Sequence, residues 1–416
     1  MRAEDVDFAR YVRPGDTVVW GQACSEPTSL VEGLLAQRAR IGRFRCFLGL
    51  SAGHTVRPEH ADHICFVSYT GNGANRALYR AGKLDILPCH YSQLPSILTE
   101  GGLAADVVLV QLSPPDARGR HSLGLGADYL PAVLARARVV IAEVNQQVPW
   151  TEGPTVPHDA LTVVVTTDRP PLEYRRPEIG AVERQIAARV AELVEDGATL
   201  QLGLGAVPDA VLGALTGHRD LGVHSGQIGD GVAELMRAGV ITNARKTLDA
   251  GRTVAGLLMG SAELFDFAAH NPAIALRETG YTHDPDVLAA QDRLVAINSA
   301  IEVDLSGQVN AEMAGADYVG AVGGAVDFLR GARRSRGGLP IIALPSTAGR
   351  RSRIVTRLSG PVSTARSDAG VIVTEFGVAD LRGLPLRARR ERLIAIAHPD
   401  HRAALDAGRA TEEETA

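Results

Sequence analysis

The chain of 416 residues is predicted to form two related open α/β domains with largely parallel sheets. Three observations lead there. The first is a strand–loop–helix device that occurs twice. Gly15-Asp-Thr-Val-Val-Trp-Gly21 leads through a short loop to Pro27 and Leu30-Val-Glu-Gly-Leu-Leu35, and Gly197-Ala-Thr-Leu-Gln-Leu-Gly203 leads to Pro208 and Val211-Leu-Gly-Ala-Leu215. Proline suits the start of a helix because its missing N–H would be unpaired there anyway. The second is the continuous apolar run, such as Val107-Val-Leu-Val-Gln-Leu112, which marks a strand covered on both faces. The third is length, which exceeds what one ordinary core holds.

The remaining elements follow in order. Residues 127–137 have helical character and lead to the apolar Arg138-Val-Val-Ile-Ala-Glu143. Together with 107–112 they read as a parallel crossover unit. Residues 168–177, proline-rich and charged, read as a linker, which places the domains at 1–178 and 179–416. Val182, Ile186, Val190, Leu193 and Val194 follow a helical period that stops at Gly197, a suitable cap. Leu294-Val-Ala-Ile297, Pro340-Ile-Ile-Ala-Leu344 and Val371-Ile-Val-Thr374 are further buried strands. The tail Thr411-Glu-Glu-Glu-Thr-Ala416 is expected to fray.

Composition narrows the function. The chain is 45% hydrophobic and 22% charged, with a net charge of −5, an ordinary globular balance. No Lys/Arg tract points to nucleic acid. No apolar run reaches the roughly 20 residues that span a bilayer, and the acidic start Met-Arg-Ala-Glu-Asp-Val-Asp lacks a signal-peptide core. A cytoplasmic protein is expected. Cys24, Cys46, Cys65 and Cys89 form no Cys-x-x-Cys pair, so neither a metal site nor a disulfide framework is expected. Cys46, Cys65 and Cys89 read as small buried hydrophobes.

Two glycine loops precede helices. Gly203-Leu-Gly205 lies before Pro208, and Gly320-Ala-Val-Gly323-Gly324 lies before Val326-Asp-Phe-Leu-Arg330. Such loops present unpaired N–H groups and a positive dipole end to an anion or oxyanion. Equally, they are places where only glycine lets helix and strand approach closely. His224 is either a packed residue or an acid–base group with a pKa near 6.5. The Gln227 amide either donates to an acyl oxygen or faces solvent. Asp230 reads as a loop or cap residue.

Several segments together carry a specific resemblance. They are Gly203-Leu-Gly-Ala-Val-Pro-Asp209, Leu221-Gly-Val-His-Ser-Gly-Gln-Ile-Gly-Asp-Gly231, Gly260-Ser-Ala-Glu-Leu-Phe-Asp266, Asn298-Ser-Ala-Ile-Glu-Val-Asp-Leu-Ser-Gly-Gln308, Gly323-Gly-Ala-Val-Asp-Phe-Leu-Arg-Gly331, Ala343-Leu-Pro-Ser-Thr-Ala348, Val373-Thr-Glu-Phe-Gly377 and Ala397-His-Pro-Asp400. The chain resembles the acetyl-CoA hydrolase/transferase family, which includes 4-hydroxybutyrate and butyrate:acetate CoA-transferases. The resemblance implies a CoA-transferase fold of the NagB/RpiA-like type with an active site between the domains. It implies coenzyme A as a substrate carried in acyl-CoA, no metal, and a homodimer or dimer-based oligomer. It places the loop Gly203, Leu204, Gly205, Ala206 and Val207 against coenzyme A, Gly323 and Gly324 beside the thioester, and Ile301 along the coenzyme channel. Where the family carries the glutamate that becomes a glutamyl-CoA thioester, this chain has Gly226. Trp150 and Gly370-Val371 are further departures, and together these suggest an altered reaction pocket. Losing the glutamate is expected to open room for a larger acyl group or second substrate.

Three functions fit. One is an enzyme acting on acyl-CoA without an enzyme-bound thioester, by hydrolysis, cyclisation or transfer to a non-carboxylate, with His224 and Gln227 as the candidate catalytic side chains. Another is conventional transfer to a carboxylate through a substitute for the missing glutamate. By the resemblance Cys24 and Glu26, in Gly21-Gln-Ala-Cys-Ser-Glu-Pro27, face the inter-domain cleft as part of its wall, and Glu312 and Glu375 are ordinary family features. The last is a non-catalytic CoA-binding protein.

Overall fold

The computed structural model describes residues 1–413. The first sheet contains β1 Thr17–Trp20, β2 Phe44–Leu48, β3 Ile64–Ser68, β4 Leu84–Ile86, β5 Val107–Leu112, β6 Val139–Asn145 and β7 Val163–Thr167. Its strand order is β4-β3-β2-β1-β5-β6-β7, parallel throughout. The second contains β8 Thr199–Leu202, β9 Gly222–Ile228, β10 Thr253–Leu258, β11 Ile274–Leu276, β12 Leu294–Asn298, β13 Leu339–Ala343, β14 Val371–Thr374 and β15 Gly377–Asp380. Its order is β11-β10-β9-β8-β12-β13-β14-β15, with only β15 antiparallel. The two orders superpose strand for strand up to that last hairpin. The repeated sequence device is thus the visible part of a repeated sheet.

The physical basis is the same in both halves. Strands β5, β6, β8 and β10 are buried along their whole length, as a parallel sheet covered on both faces requires. One apolar cluster runs from Val19 and Val108 in the first sheet to Leu200 and Val223 in the second. The halves therefore share a core. The crossover from β5 to β6 holds a short strand, Arg120–Ser122, and a short helix, Leu130–Leu134, the helix narrower than the 127–137 expected. Between Thr167 and Ala181 no regular element forms.

Some expectations need correction. The helix Ala181–Ala191 is capped at Glu192. Gly197 instead takes φ +74° in the turn beyond, because the chain must reverse there to enter β8. Val182 stands 37% exposed, so it is off the buried stripe formed by Ile186, Ala187 and Val190. Cys46 and Cys89 are buried, but Cys65 is exposed; its side chain alternates outward from Ile64 and Phe66 in β3. The last helix runs from Pro399 to Glu413, so the first part of the tail is helical; residues 414–416 lie outside the described residues. No helix among the described residues is long and apolar enough to cross a membrane.

Main-chain hydrogen bonds join the halves. Gly71 N–H donates to Gly320 O at 3.2 Å and Tyr91 N–H to Gly323 O at 3.0 Å. Ala127 N–H donates to Gly256 O at 2.9 Å, and Leu276 N–H to Glu152 O at 2.8 Å. Between these seams lies a cleft.

Candidate active site

The cleft has a volume of about 340 Å³, within the range of small-molecule sites. It opens where both sheets end. The tips of β8, β9 and β12 contribute Gln201, Leu202, Gly226, Gln227 and Asn298, and the first half contributes Gln22, Leu50, Tyr69 and Tyr91. This is the carboxyl edge of a parallel sheet, where loops are free to hold ligands.

Two glycine loops contribute walls of the cleft. Gly203 and Leu204 line one wall, and Gly320 to Ala325 the other. Ile301 lines the cleft between them. Gly205 has φ +120° as the cap of helix Ala206–Ala214, a conformation that favours glycine, and it faces a small adjoining recess. Ala206 and Val207 lie within that helix and do not line the cleft. Gly323 and Gly324 lead into helix Ala325–Arg334. The first-turn N–H groups of both helices lack intrahelical acceptors and supply positive potential to the cleft.

Between those walls sits a histidine that the sequence does not single out. A Cβ on Gly226 would lie 3.1 Å from His283 Cε1 and 3.2 Å from Nε2; one on Gly324 would lie 2.7 Å from Nε2. The imidazole edge therefore rests in a cradle of two glycines. It stacks at 4.8 Å on Tyr91 and packs at 4.6 Å against Phe328. Its position is set locally. Asp284 caps the next helix, Pro285–Ala290, by accepting from Asp286 N–H and Val287 N–H at 2.9 Å each. The Asp-Pro pair, a recognisable helix start, is the available signal. The ring also corrects one expectation: the space beside Gly226 is taken by His283 and is not open to a larger acyl group.

A polar network supports the floor. Gln22 Nε2 donates to Asp128 Oδ2 at 2.8 Å and also to the Tyr91 hydroxyl. Gln22 Oε1 accepts from Leu50 N–H at 2.8 Å and from the Tyr69 hydroxyl at 3.0 Å. Burial pushes the Asp128 carboxyl up to about 6, against the opposing hydrogen bond from Gln22. Asp128 is itself clamped across the seam, its carbonyl accepting from Thr279 N–H at 2.8 Å. Gln201 and Asn298 exchange amide hydrogen bonds of 3.2 and 2.8 Å. Isolated amides and aromatics carry no sequence spacing, so no motif marks these residues.

The sequence-predicted side chains fare unevenly. His224 is fully buried, does not line the cleft, and contacts Thr282 O through Nε2 at 3.1 Å. Burial, and then Lys246, push its pKa down to about 4. These facts remove it from direct proton transfer in the cleft. Gln227 does line the cleft, but its amide donates to Leu202 O at 3.2 Å and Gly203 O at 3.3 Å. It braces the glycine loop. Asp230 accepts from Ser261 N–H and its hydroxyl at 3.1 and 2.8 Å, a structural tie. Trp150 and Gly370 do not line the cleft. Gly370 is glycine because a Cβ would come 2.4 Å from Pro340 in β13.

Among the described residues, no acidic side chain lines this cleft. Glu312 is held by Ser363 and Tyr318 at 2.7 Å each, and Glu375 by Ser346. Cys24 is buried away from the cleft, and burial raises its thiol to about 12. Glu26 is also off the main cleft wall, with Oε1 unpaired among the described residues. Burial raises its carboxyl from 4.5 to about 7. Because the folded pKa lies above the unfolded one, stability is lost as pH rises from about 4.5 to about 7. Glu26→Gln should therefore gain on the wild type by on the order of 2 kcal/mol between pH 5 and pH 8. Melting curves of both proteins at the two pH values check this; a gap independent of pH refutes it.

Residues 2–170 match the acetyl-CoA hydrolase/transferase N-terminal domain, and residues 260–408 match its C-terminal domain. The chain belongs to the acetyl-CoA hydrolase/transferase family. Within that family it is 41% identical to 4-hydroxybutyrate coenzyme A transferase of Clostridium kluyveri, covering 93% of this chain and 92% of that protein. Acetyl-CoA hydrolase of Kluyveromyces lactis is 24% identical, with 87% and 79% covered. Among solved structures, RipA from Yersinia pestis superposes with a TM-score of 0.94 at 35% identity, covering 99% of this chain and 97% of that one. The protein is thus an enzyme-family member with two α/β halves, and its relatives work on CoA thioesters.

Proposed function

We propose that this acetyl-CoA hydrolase/transferase family member acts on an acyl-CoA without forming an enzyme-bound glutamyl-CoA thioester. The observation that carries the reading is the cleft lining, which among the described residues holds Gly226 and no carboxylate. A transferase of the ping-pong type needs an enzyme carboxylate to accept the acyl group and then carry CoA. Neither Glu312 nor Glu375 is free to take that part, since each is spent on neighbouring hydroxyls. The same lining argues against a substitute carboxylate.

In this reading the glycine walls hold the thioester end of acyl-CoA. The pantetheine arm is thin and extended, and backbone without side chains lets it pass. Unpaired N–H groups at the two helix starts stabilise the oxyanion that forms when the thioester carbonyl is attacked. The nucleophile comes from solution and bears a removable proton.

Acetyl-, butyryl-, 4-hydroxybutyryl- and succinyl-CoA, incubated with the protein, test the proposal. Free thiol should appear while intact mass after borohydride reduction shows no CoA-derived adduct, and label should not exchange between acyl-CoA and acetate. Rapid exchange with a trapped glutamyl adduct overturns it.

A further inference from the structure

We propose that His283 is the general base of this cleft, its Nε2 taking a proton from water as that water adds to the acyl-CoA thioester. The proposal rests on the reading of the cleft as an acyl-CoA site without an enzyme carboxylate, and it names the acceptor: water.

Chemistry on the cleft wall leaves few candidates. Among the described residues, the titratable side chains lining the cleft are Tyr69, Tyr91 and His283. Burial pushes both tyrosines well above the ordinary phenol value, so they do not serve as bases near neutrality. His283 alone offers a basic nitrogen.

The hydrogen-bond pattern selects which nitrogen. Thr282 Oγ1 donates its proton to Glu278 O at 3.3 Å and lies 2.9 Å from His283 Nδ1. With its proton so placed, Oγ1 accepts from Nδ1–H. The lone pair is then on Nε2, assigned from the network. Nε2 has no hydrogen-bond partner among the described residues and lies beside Gly226 and Gly324. The base thus stands next to two glycines that line the cleft with it.

Burial, and secondarily His224, lower the His283 pKa to about 3, which keeps the ring neutral and its lone pair available. A base this weak at rest is strengthened as negative charge grows on the adjacent carbonyl oxygen. The step balances as follows. The water oxygen bonds to the thioester carbon while one of its protons passes to Nε2. The tetrahedral oxyanion then collapses, the C–S bond breaks, and the departing thiolate takes the proton from Nε2. The products are a carboxylic acid and free CoA thiol.

Two variants with separate risks test this, on the full chain with the four acyl-CoAs named above. His283→Asn should lower kcat for thiol release by about 10²-fold or more, with acyl-CoA affinity by calorimetry unchanged. Thr282→Val keeps the ring but removes the acceptor that fixes its tautomer; it should lose about tenfold or more in kcat, and Thr282→Ser should restore it. If the asparagine variant does not fold, the Thr282 pair decides alone. Wild-type kcat in His283→Asn or in Thr282→Val overturns the proposal, as does an acyl adduct on Ser299, which also lines the cleft. Absence of thiol release by the wild type overturns it too. A glutamyl-CoA adduct in the wild type is a different outcome, and it sinks the underlying reading instead.

Discussion

Gly226→Glu combined with His283→Ala is expected to gain acyl-CoA:acetate exchange over the wild type. By the family resemblance, position 226 is where a carboxylate would carry CoA. The structure adds that the carboxylate cannot simply be restored. The first side-chain carbon of a glutamate introduced there would meet His283 at 3.1–3.2 Å, tight enough that the ring must yield, and the rest of the side chain needs more space still. Tyr91 and Phe328 hold the ring from both sides. Gly226→Glu alone should therefore place its carboxylate poorly, and an error of about 1 Å costs on the order of 10²-fold in rate. Removing the imidazole frees the volume. The double variant should exceed the single one by at least about tenfold and yield a borohydride-trappable adduct. Equal exchange rates in the two variants would show that His283 does not occupy the carboxylate's place.

Gly324→Val should weaken acyl-CoA binding by about 100-fold or more, equivalent to roughly 2.7 kcal/mol. Gly324 has φ −87° and ψ −4°, so valine meets no backbone strain there. The effect is steric. Its Cβ would lie 2.7 Å from His283 Nε2 and 3.0 Å from Cδ2, and the branched methyls would enter the cleft between the glycine walls. Gly213 sits in a helix where an added Cβ would meet nothing within 4 Å, so Gly213→Ala serves as a control that leaves affinity unaltered. Calorimetric titration with butyryl-CoA measures both. Undiminished affinity in Gly324→Val would move the thioester away from this wall.

The fold is readable from sequence because its signals are local and repeated. An apolar run such as 107–112 reports burial on both faces by itself, and the duplicated strand–loop–helix device predicts two related α/β halves, whose strand orders the structure shows to match. Gly203, Gly226, Ile301, Gly323 and Gly324 are legible for a similar reason: they sit in segments with a recognisable pattern, and all line the cleft. His224 shows the limit. Its neighbours in sequence line the cleft, but in β9 its side chain is buried against the segment around Tyr281 and Thr282. His283 shows the converse. It lies 57 residues beyond Gly226 in the chain, and no local pattern says that its ring rests against that glycine. Gln22 and Asp128 meet across 106 residues. Long-range juxtaposition of single polar side chains is a property of the packed sheets and leaves no trace in periodicity.

Beside the shared apolar core, the seam between the halves carries backbone-to-backbone hydrogen bonds, through pairs such as Gly71 with Gly320, Tyr91 with Gly323, Ala127 with Gly256 and Leu276 with Glu152. Such bonds are anonymous: they depend on the path of the chain and survive most exchanges of the side chains that decorate it. Architecture and reactivity are therefore inherited separately here. Mutation can rewrite the cleft residue by residue while the frame that aims those residues stays fixed. A family built this way can diversify its reactions without having to rediscover how to fold.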